Sequence, residues 1–228
     1  MTPGSEDSPG QSALPRPGMS LLVRAGNLEY DRVLFFSDAI FAIAITLLVL
    51  EIPRVAGEGT SKELAGSVHP IISFGISFVV IGMFWMGHHS LFRFITLMDH
   101  RLVALNLLFC GIIAFLPYPT ALLNEPGKQP PLATIFYAAC IAAAGLAELA
   151  IWLWATRGNG RLTPDLNAAD RRYIALRLVR VPVVFLLSIP IALVNPNAAT
   201  FFWLLIAVTG SALDRYVRPA MLAADPET

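Results

Sequence analysis

Long apolar runs separated by short polar segments dominate the chain. Six runs reach or approach the roughly 20 apolar residues that a helix needs to cross the hydrocarbon core of a bilayer. These runs are 33–50, 71–92, 102–123, 132–155, 174–194 and 198–213. Because lipid offers the backbone no hydrogen-bond partner, continuous runs of this length predict α-helices rather than barrel strands. The pattern predicts an all-α polytopic membrane protein with six transmembrane helices.

The last two runs are less regular than the others. Pro182 and Pro190 interrupt the fifth run, which predicts a kinked helix, and the sixth run is short. Before the first run, residues 1–19 contain four prolines among glycine and serine, which predicts a disordered tail. The stretch 20–31 is amphipathic and is predicted to lie on the membrane surface. The predicted organisation is a tail or interfacial segment (1–28), a membrane domain (29–216) and a second tail (217–228).

The positive charges are distributed unevenly between the loops. If the N-terminus is cytoplasmic, the outer segments contain only Arg54, Lys62 and Lys128. The cytoplasmic segments then contain Arg16, Arg24, Arg32, Arg93, Arg101, Arg157, Arg161, Arg171, Arg172, Arg177, Arg180, Arg215 and Arg218. Positively charged residues favour the cytoplasmic side. Both termini are therefore predicted to be cytoplasmic.

Composition narrows the class of protein further. Apolar residues make up 56% of the chain and charged residues 14%, with a formal net charge of zero. Soluble domains carry about 25% charged residues, so a soluble enzyme, a disordered chain and a nucleic-acid binder are all excluded. Cys110 and Cys140 both lie in apolar runs, which leaves no disulfide framework and no CxxC zinc site. The chain carries none of the nucleotide-binding, metalloprotease or nucleophile motifs, so we expect neither an enzyme nor a cofactor.

A carboxylate stands inside the first predicted helix. Asp38 lies about one and a half turns beyond Arg32, where an unpaired charge in lipid is costly. We expect it to pair with His88, His89 or Asn106, which lie at a similar depth. Two compatible interpretations stay open, namely that this cluster only joins three helices or that it acts in transport. Adjacent histidines on a helix point about 100° apart, which disfavours a metal site.

An apolar stripe runs along the same helix. Ile43, Leu47 and Leu50 follow the i, i+4, i+7 spacing of one helical face. Taken alone, such a stripe is typical of a lipid-facing or core surface. Thr46 lies beside it and can bond the carbonyl of residue 42, and Glu51 lies at the outer mouth. Glu148 is a lone acid on the fourth predicted helix, and it is either buried and protonated or located at a subunit contact.

The run Arg32-x-x-x-Phe36-Ser37-Asp38 resembles the RxxxFSD signature of the transmembrane protein 175 family of potassium channels. The resemblance continues through Phe84-Trp85 and His88-His89, and then through Phe115-Leu116-Pro117 and Pro119-Thr120. It covers about residues 28–123 well, and the last three helices only by hydropathy.

The resemblance implies a leak-type, potassium-selective cation channel whose first helices line the pore. Like the family, the sequence lacks the TVGYG filter of ordinary potassium channels. A single motif copy implies the homotetramer of bacterial members, in the plasma membrane. Stacked apolar rings in the family map to Ile43, Leu47 and Leu50, and the selectivity threonine maps to Thr46. The network that holds the first helix maps to Arg32, Phe36, Ser37, Asp38, Trp85, His88, His89 and Asn106.

Two other functions stay open at this point. The first is a secondary transporter, coupled to protons or another cation through Asp38 and a histidine, which inverted repeats and broken helices would favour. The motif has no counterpart in the second half of the chain. A membrane scaffold without transport is the third interpretation.

Overall fold

All regular structure in the described part of the chain is helical. The computed structural model describes residues 17–52, 68–123, 131–212 and Arg215, and no strand occurs among them. The helices are α1 (Pro17–Leu47), α2 (Val68–Phe92), α3 (His100–Phe115), α4 (Pro117–Leu123), α5 (Pro131–Ala155), α6 (Arg157–Gly160), α7 (Ala168–Val194), α8 (Pro196–Phe202) and α9 (Leu205–Ala212). A 3₁₀ turn, Leu48–Glu51, follows α1 directly. The all-α prediction is confirmed.

Five helical segments in these ranges are long and apolar enough to cross a membrane. They are Tyr30–Glu51, Pro70–Phe92, His100–Leu123, Pro131–Ala155 and Ala168–Val194. They coincide with the first five predicted runs, and α7 continues through both Pro182 and Pro190. The sixth run instead forms the two short helices α8 and α9. The break lies at Trp203, where backbone N–H groups bond to carbonyls three residues earlier instead of four. The buried Trp203 ring packs on Tyr137 and Phe185.

The first helix begins earlier than its apolar run. α1 begins at Pro17, so residues 17–19 are helical and their prediction as disordered is wrong. The predicted tail segments 1–16 and 217–228 lie outside the described residues. The chain divides into two units, Met1–Phe35 and Phe36–Thr228. The first unit contains the described beginning of α1, and the second contains all the interactions below.

Close packing in the second unit centres on α5. This helix packs most extensively against α7 and also contacts α3 and α4. Ala138, Ala142 and Ala144 are buried, and a Cβ atom on Gly145 would lie 2.8 Å from Pro182 Cδ. The small side chains therefore let α5 and α7 approach to backbone distance, as small residues do between membrane helices.

Asp99 joins the start of α3 to the end of α5. Its carboxylate caps α3 by accepting a 2.8 Å hydrogen bond from the Leu102 backbone N–H. The indole of Trp154 donates to the same carboxylate at 3.1 Å, and Arg161 Nη2 lies 3.5 Å away. Burial raises the pKa of the Asp99 carboxyl, but the bonds from Leu102 and Trp154 and the Arg161 charge lower that pKa more. Folding therefore favours the ionised carboxylate.

We expect Asp99→Ala to destabilise the fold by about 1 kcal/mol or more at neutral pH, because the cap and the indole hydrogen bond are both lost. The folded state lowers the pKa, so this stabilisation is present above the ordinary value of 3.8 and is lost as the pH falls through the lowered pKa. Thermal unfolding in detergent at neutral and acidic pH measures the difference. Asp165→Ala, which removes an exposed carboxylate, is the control. An Asp99→Ala effect of equal size at every pH would contradict the assignment.

Candidate functional site

The second half of α1 has a buried face and an exposed face. Ser37, Phe41, Ala44 and Leu48 are fully buried and follow the i, i+4, i+7, i+11 spacing of one stripe. On the other side, Ile43 is 57% exposed, Leu47 39% and Leu50 70%. The predicted apolar stripe therefore faces away from the body of the chain.

The 3₁₀ turn keeps Leu50 on this stripe. The sequence predicts one α-helix through residue 50, whereas α1 ends at Leu47 and the 3₁₀ turn follows. A 3₁₀ helix has about 3 residues per turn, so side chains three positions apart eclipse one another. Leu50 therefore lies directly above Leu47, and the tighter turn preserves the alignment.

Three buried polar side chains form a hydrogen-bonded chain behind the stripe. Asn106 Nδ2 on α3 donates to Ser37 Oγ on α1 at 2.8 Å. Asn106 Oδ1 lies 2.8 Å from His88 Nε2 on α2. Since the amide nitrogen is directed at Ser37, the amide oxygen accepts from His88, which assigns the proton to Nε2. Asn106 thus joins three helices.

Aromatic rings enclose the histidine of this chain. The His88 ring stacks on Phe109 at 5.5 Å with an interplanar angle of 8°. Phe92 and Phe41 lie 4.4 Å and 5.6 Å away, centroid to centroid. His88 Nδ1 is buried and has no hydrogen-bond partner among the described groups. The ring is thus held by packing on its faces and by one hydrogen bond.

Asp38 pairs differently from the prediction. Its Oδ1 accepts a 2.8 Å hydrogen bond from Trp85 Nε1 on α2, and the Trp85 ring stacks on His89 at 5.8 Å. The hydrogen bond of Asp38 thus goes to Trp85, which was not among the expected partners His88, His89 and Asn106. Successive helical side chains diverge by about 100°, so Ser37 takes the Asn106 contact and Asp38 is directed to the tryptophan.

The remaining candidates lie on or near the exposed side of α1. Arg32 and Phe36 are exposed, and Glu51 is half-buried. The exposed Thr46 hydroxyl donates to the Ile43 carbonyl at 2.8 Å rather than to that of residue 42. Thr46 thus keeps its oxygen lone pairs available beside the apolar stripe.

Sequence reasoning missed several residues around this site. Cys110 Sγ donates to Ser37 Oγ at 3.5 Å, and Phe41 and Phe109 form the ring contacts to His88. A second buried cluster joins Thr120 Oγ1 to Ser77 Oγ at 2.9 Å, and Ser77 Oγ to the Tyr137 hydroxyl at 3.1 Å. The sequence signal for this second cluster was a hydroxyl-bearing residue inside each of three apolar runs. Among the described residues, no three His, Cys, Asp or Glu side chains are grouped as metal ligands.

These features define a class, namely a polytopic helical membrane protein whose first helix is anchored by polar groups and presents an apolar face. A family model described as "Endosomal/lysosomal potassium channel TMEM175" matches residues 32–117. The chain is 34% identical over 173 residues to a potassium channel of Streptomyces collinus, covering 73% of this chain and 84% of that protein. It is also 34% identical over 153 residues to a potassium channel of Chamaesiphon minutus, covering 64% and 74%.

The chain belongs to the TMEM175 family of ion channels, and it is not an enzyme. An animal relative, named an endosomal/lysosomal proton channel in Gallus gallus, is 38% identical over 110 residues but covers 43% of this chain and 22% of the relative. The crystal structure of a lysosomal potassium-selective channel TMEM175 homologue from Chamaesiphon minutus matches with a TM-score of 0.67 and 27% identity. That match covers 82% of this chain and 98% of the solved chain.

We expect Asn106→Leu to destabilise the protein strongly, because it leaves Ser37 and His88 buried with fewer partners, at about 1–3 kcal/mol for each group. Leu107→Ala, on the exposed side of the same helix, should have little effect. Thermal unfolding of the purified protein in detergent compares the two variants. An unfolding temperature of Asn106→Leu equal to that of wild type would show that the hydrogen-bonded chain does not stabilise the fold.

Proposed function

We propose that the chain forms a homotetrameric, leak-type potassium channel in the plasma membrane, with α1 lining the pore. The observation that supports this most directly is that the stripe of Ile43, Leu47 and Leu50 is exposed while another face of α1 is buried in the body of the chain. One helix cannot enclose an axis, so a pore of this kind needs several copies. In a four-fold assembly, each residue of the stripe becomes one ring.

The proposed rings select by width and by wetting. A narrow apolar ring excludes a hydrated ion, so an ion passes only after it sheds part of its hydration shell. K⁺ loses water more readily than the smaller Na⁺. Thr46 would add a hydroxyl oxygen between the apolar rings. Glu51, one residue beyond Leu50, would raise the local concentration of cations at the outer mouth.

The hydrogen bonds behind the stripe would fix the rotation of α1. Ser37 bonded to Asn106 and Asp38 bonded to Trp85 constrain two successive directions around the helix axis. A rotation by one residue, about 100°, would replace Ile43 by Ala44 on the axis. In this proposal the polar residues act by positioning and do not contact the ion.

The basic residues support an orientation with both termini in the cytoplasm. Arg93, Arg101 and Arg157 are exposed at the end of α2, the start of α3 and the end of α5. Arg101 and Arg157 lie over the Trp154 ring at 5.0 Å and 4.9 Å. These charges therefore share one end of the bundle, which the positive-inside rule assigns to the cytoplasm.

The alternatives are distinguished by flux in liposomes. A channel gives fast, uncoupled K⁺ movement that follows the electrical gradient, a coupled transporter gives slow flux tied to a second ion, and a scaffold gives none. Several animal relatives are named proton channels, so the same liposomes need a pH-sensitive dye. Proton flux that exceeds K⁺ flux would replace potassium by the proton as the main permeant ion.

We expect Ile43→Asn, Leu47→Asn and Leu50→Asn each to raise conduction and lower K⁺/Na⁺ discrimination, because an amide ring holds water where an apolar ring excludes it. The measurement is K⁺ and Na⁺ current in the same planar bilayer. The narrowest ring should give the largest change.

Two control substitutions accompany this series. Leu108→Asn on α3 introduces the same amide at a residue that is 57% exposed, as Ile43 is. Ile45→Asn changes α1 off the stripe. Both should leave selectivity unchanged. Wild-type selectivity in all three stripe variants, with assembly intact, would remove these residues from the pore.

We expect the purified protein to contain about four copies of the chain, because the proposed pore needs a closed ring of first helices. Native mass spectrometry or light scattering corrected for detergent gives the mass. A monodisperse monomer that conducts ions would contradict the pore arrangement.

A further inference from the structure

A cavity that the channel function does not use lies between α2, α5, α7 and α9. Its volume is about 390 Å³, and it is partly open to the outside of the chain. Most of its wall is apolar, and Met83, Phe84 and Phe185 are among the lining residues. Such walls suit a hydrocarbon chain, but the polar groups in the lining give the cavity more specific chemistry.

One carboxyl group is buried in the cavity wall. Glu148 on α5 is only 4% exposed, and its Oε1 has no hydrogen-bond partner among the described groups. A buried carboxylate without a partner is costly in an apolar wall. A ligand that donates N–H bonds or supplies a positive charge would remove this cost.

Gly87 on α2 makes room for this carboxyl group. A Cβ atom on Gly87 would lie 2.8 Å from Glu148 Oε1. Any larger residue at position 87 would therefore displace the acid. Both residues line the cavity. The missing side chain at Gly87 thus gives the Glu148 carboxyl group its place beside α2 in the cavity wall.

Two arginines on α7 line the same cavity. Arg177 is exposed and Arg180 is half-buried, and both contribute to its wall. α5 and α7 are antiparallel and meet at Gly145 and Pro182. Glu148 lies about 4.5 Å beyond Gly145 along α5, and Arg180 about 3 Å before Pro182 along α7. Glu148 and Arg180 thus lie at similar depth in the bundle, towards the end that carries the basic residues, and both line the cavity.

We propose that this cavity binds phosphatidylethanolamine from the leaflet on the basic side of the protein. The lipid's ammonium group donates to Glu148, its phosphate pairs with Arg177 and Arg180, and an acyl chain follows the apolar wall. Guanidinium groups match phosphate geometry well. Among membrane lipids, one that carries adjacent ammonium and phosphate groups complements both charges, whereas phosphatidylglycerol lacks the cation and phosphatidylcholine lacks N–H donors.

The test uses the delipidated full-length protein in detergent, titrated with single lipids and observed by native mass spectrometry. We expect dioleoyl phosphatidylethanolamine to bind about tenfold more tightly than dioleoyl phosphatidylcholine, since the charge-assisted hydrogen bonds to Glu148 need N–H donors. Mono- and dimethylated headgroups should bind with intermediate affinity. This series needs no variant, and equal affinity across it would overturn the proposal.

Variants assign the contacts. Glu148→Gln keeps the side-chain shape and should abolish the preference for phosphatidylethanolamine over phosphatidylcholine, and Gly87→Ala should reduce it. Arg177→Gln should weaken binding of both lipids several-fold without changing their ratio. Arg172→Gln removes an exposed arginine of the same helix outside the cavity lining and is the matched control.

Two further outcomes would contradict the assignment. If soluble phosphoethanolamine binds as tightly as the lipid, the acyl chain adds nothing and the ligand is a soluble zwitterion, not a membrane lipid. If Glu148→Gln retains the full preference in correctly folded protein, the ammonium group binds elsewhere. Because lipid binding is measured on purified protein, neither outcome depends on whether the chain conducts potassium.

Discussion

The hydrogen-bonded chain from Ser37 through Asn106 to His88 is the constraint on which the rest of the site depends. In a membrane, a buried hydroxyl, amide or imidazole finds no water, so its hydrogen bonds come from other groups of the protein. Among the described residues, Asn106 bonds to both Ser37 and His88, and it thereby links three helices. The position and rotation of α1 follow from this requirement, because Ser37 reaches the amide in only one orientation of its helix.

The anchoring of α1 explains how an apolar surface is left exposed. Ser37, Phe41, Ala44 and Leu48 are committed to the body, so Ile43, Leu47 and Leu50 are directed away from it. The 3₁₀ turn at Leu48–Glu51 keeps the last of these residues in line. An exposed apolar face on a helix that polar side chains anchor from behind is suited to face a partner copy, a pore or lipid, and the proposed tetramer uses it as the pore wall.

The second half of the chain serves a different physical purpose. Small residues on α5 let α7 approach until Gly145 meets Pro182, and Trp203 packs its ring on Tyr137 and Phe185. This packing leaves one cavity wall that contains both Glu148 and two arginines. The α1 site therefore combines anchoring with an outward apolar face, whereas the α7 side combines dense packing with a charged cavity.

The sequence by itself determined the class of protein, the five long helices and the stripe on α1, because hydropathy and helical periodicity are local properties of the chain. It also carried the family resemblance, which supplied most of the residues of the polar network. It did not determine that Asp38 bonds to Trp85, that α1 tightens into a 3₁₀ turn, or that the sixth run breaks at Trp203. Those features depend on which side chains from distant helices meet. The Trp85 indole, for example, bonds to Asp38 because the fold brings the two residues together, although they are far apart in the sequence. Only the tertiary structure brings Glu148, Gly87 and Arg177 to one cavity, because three separate helices contribute them.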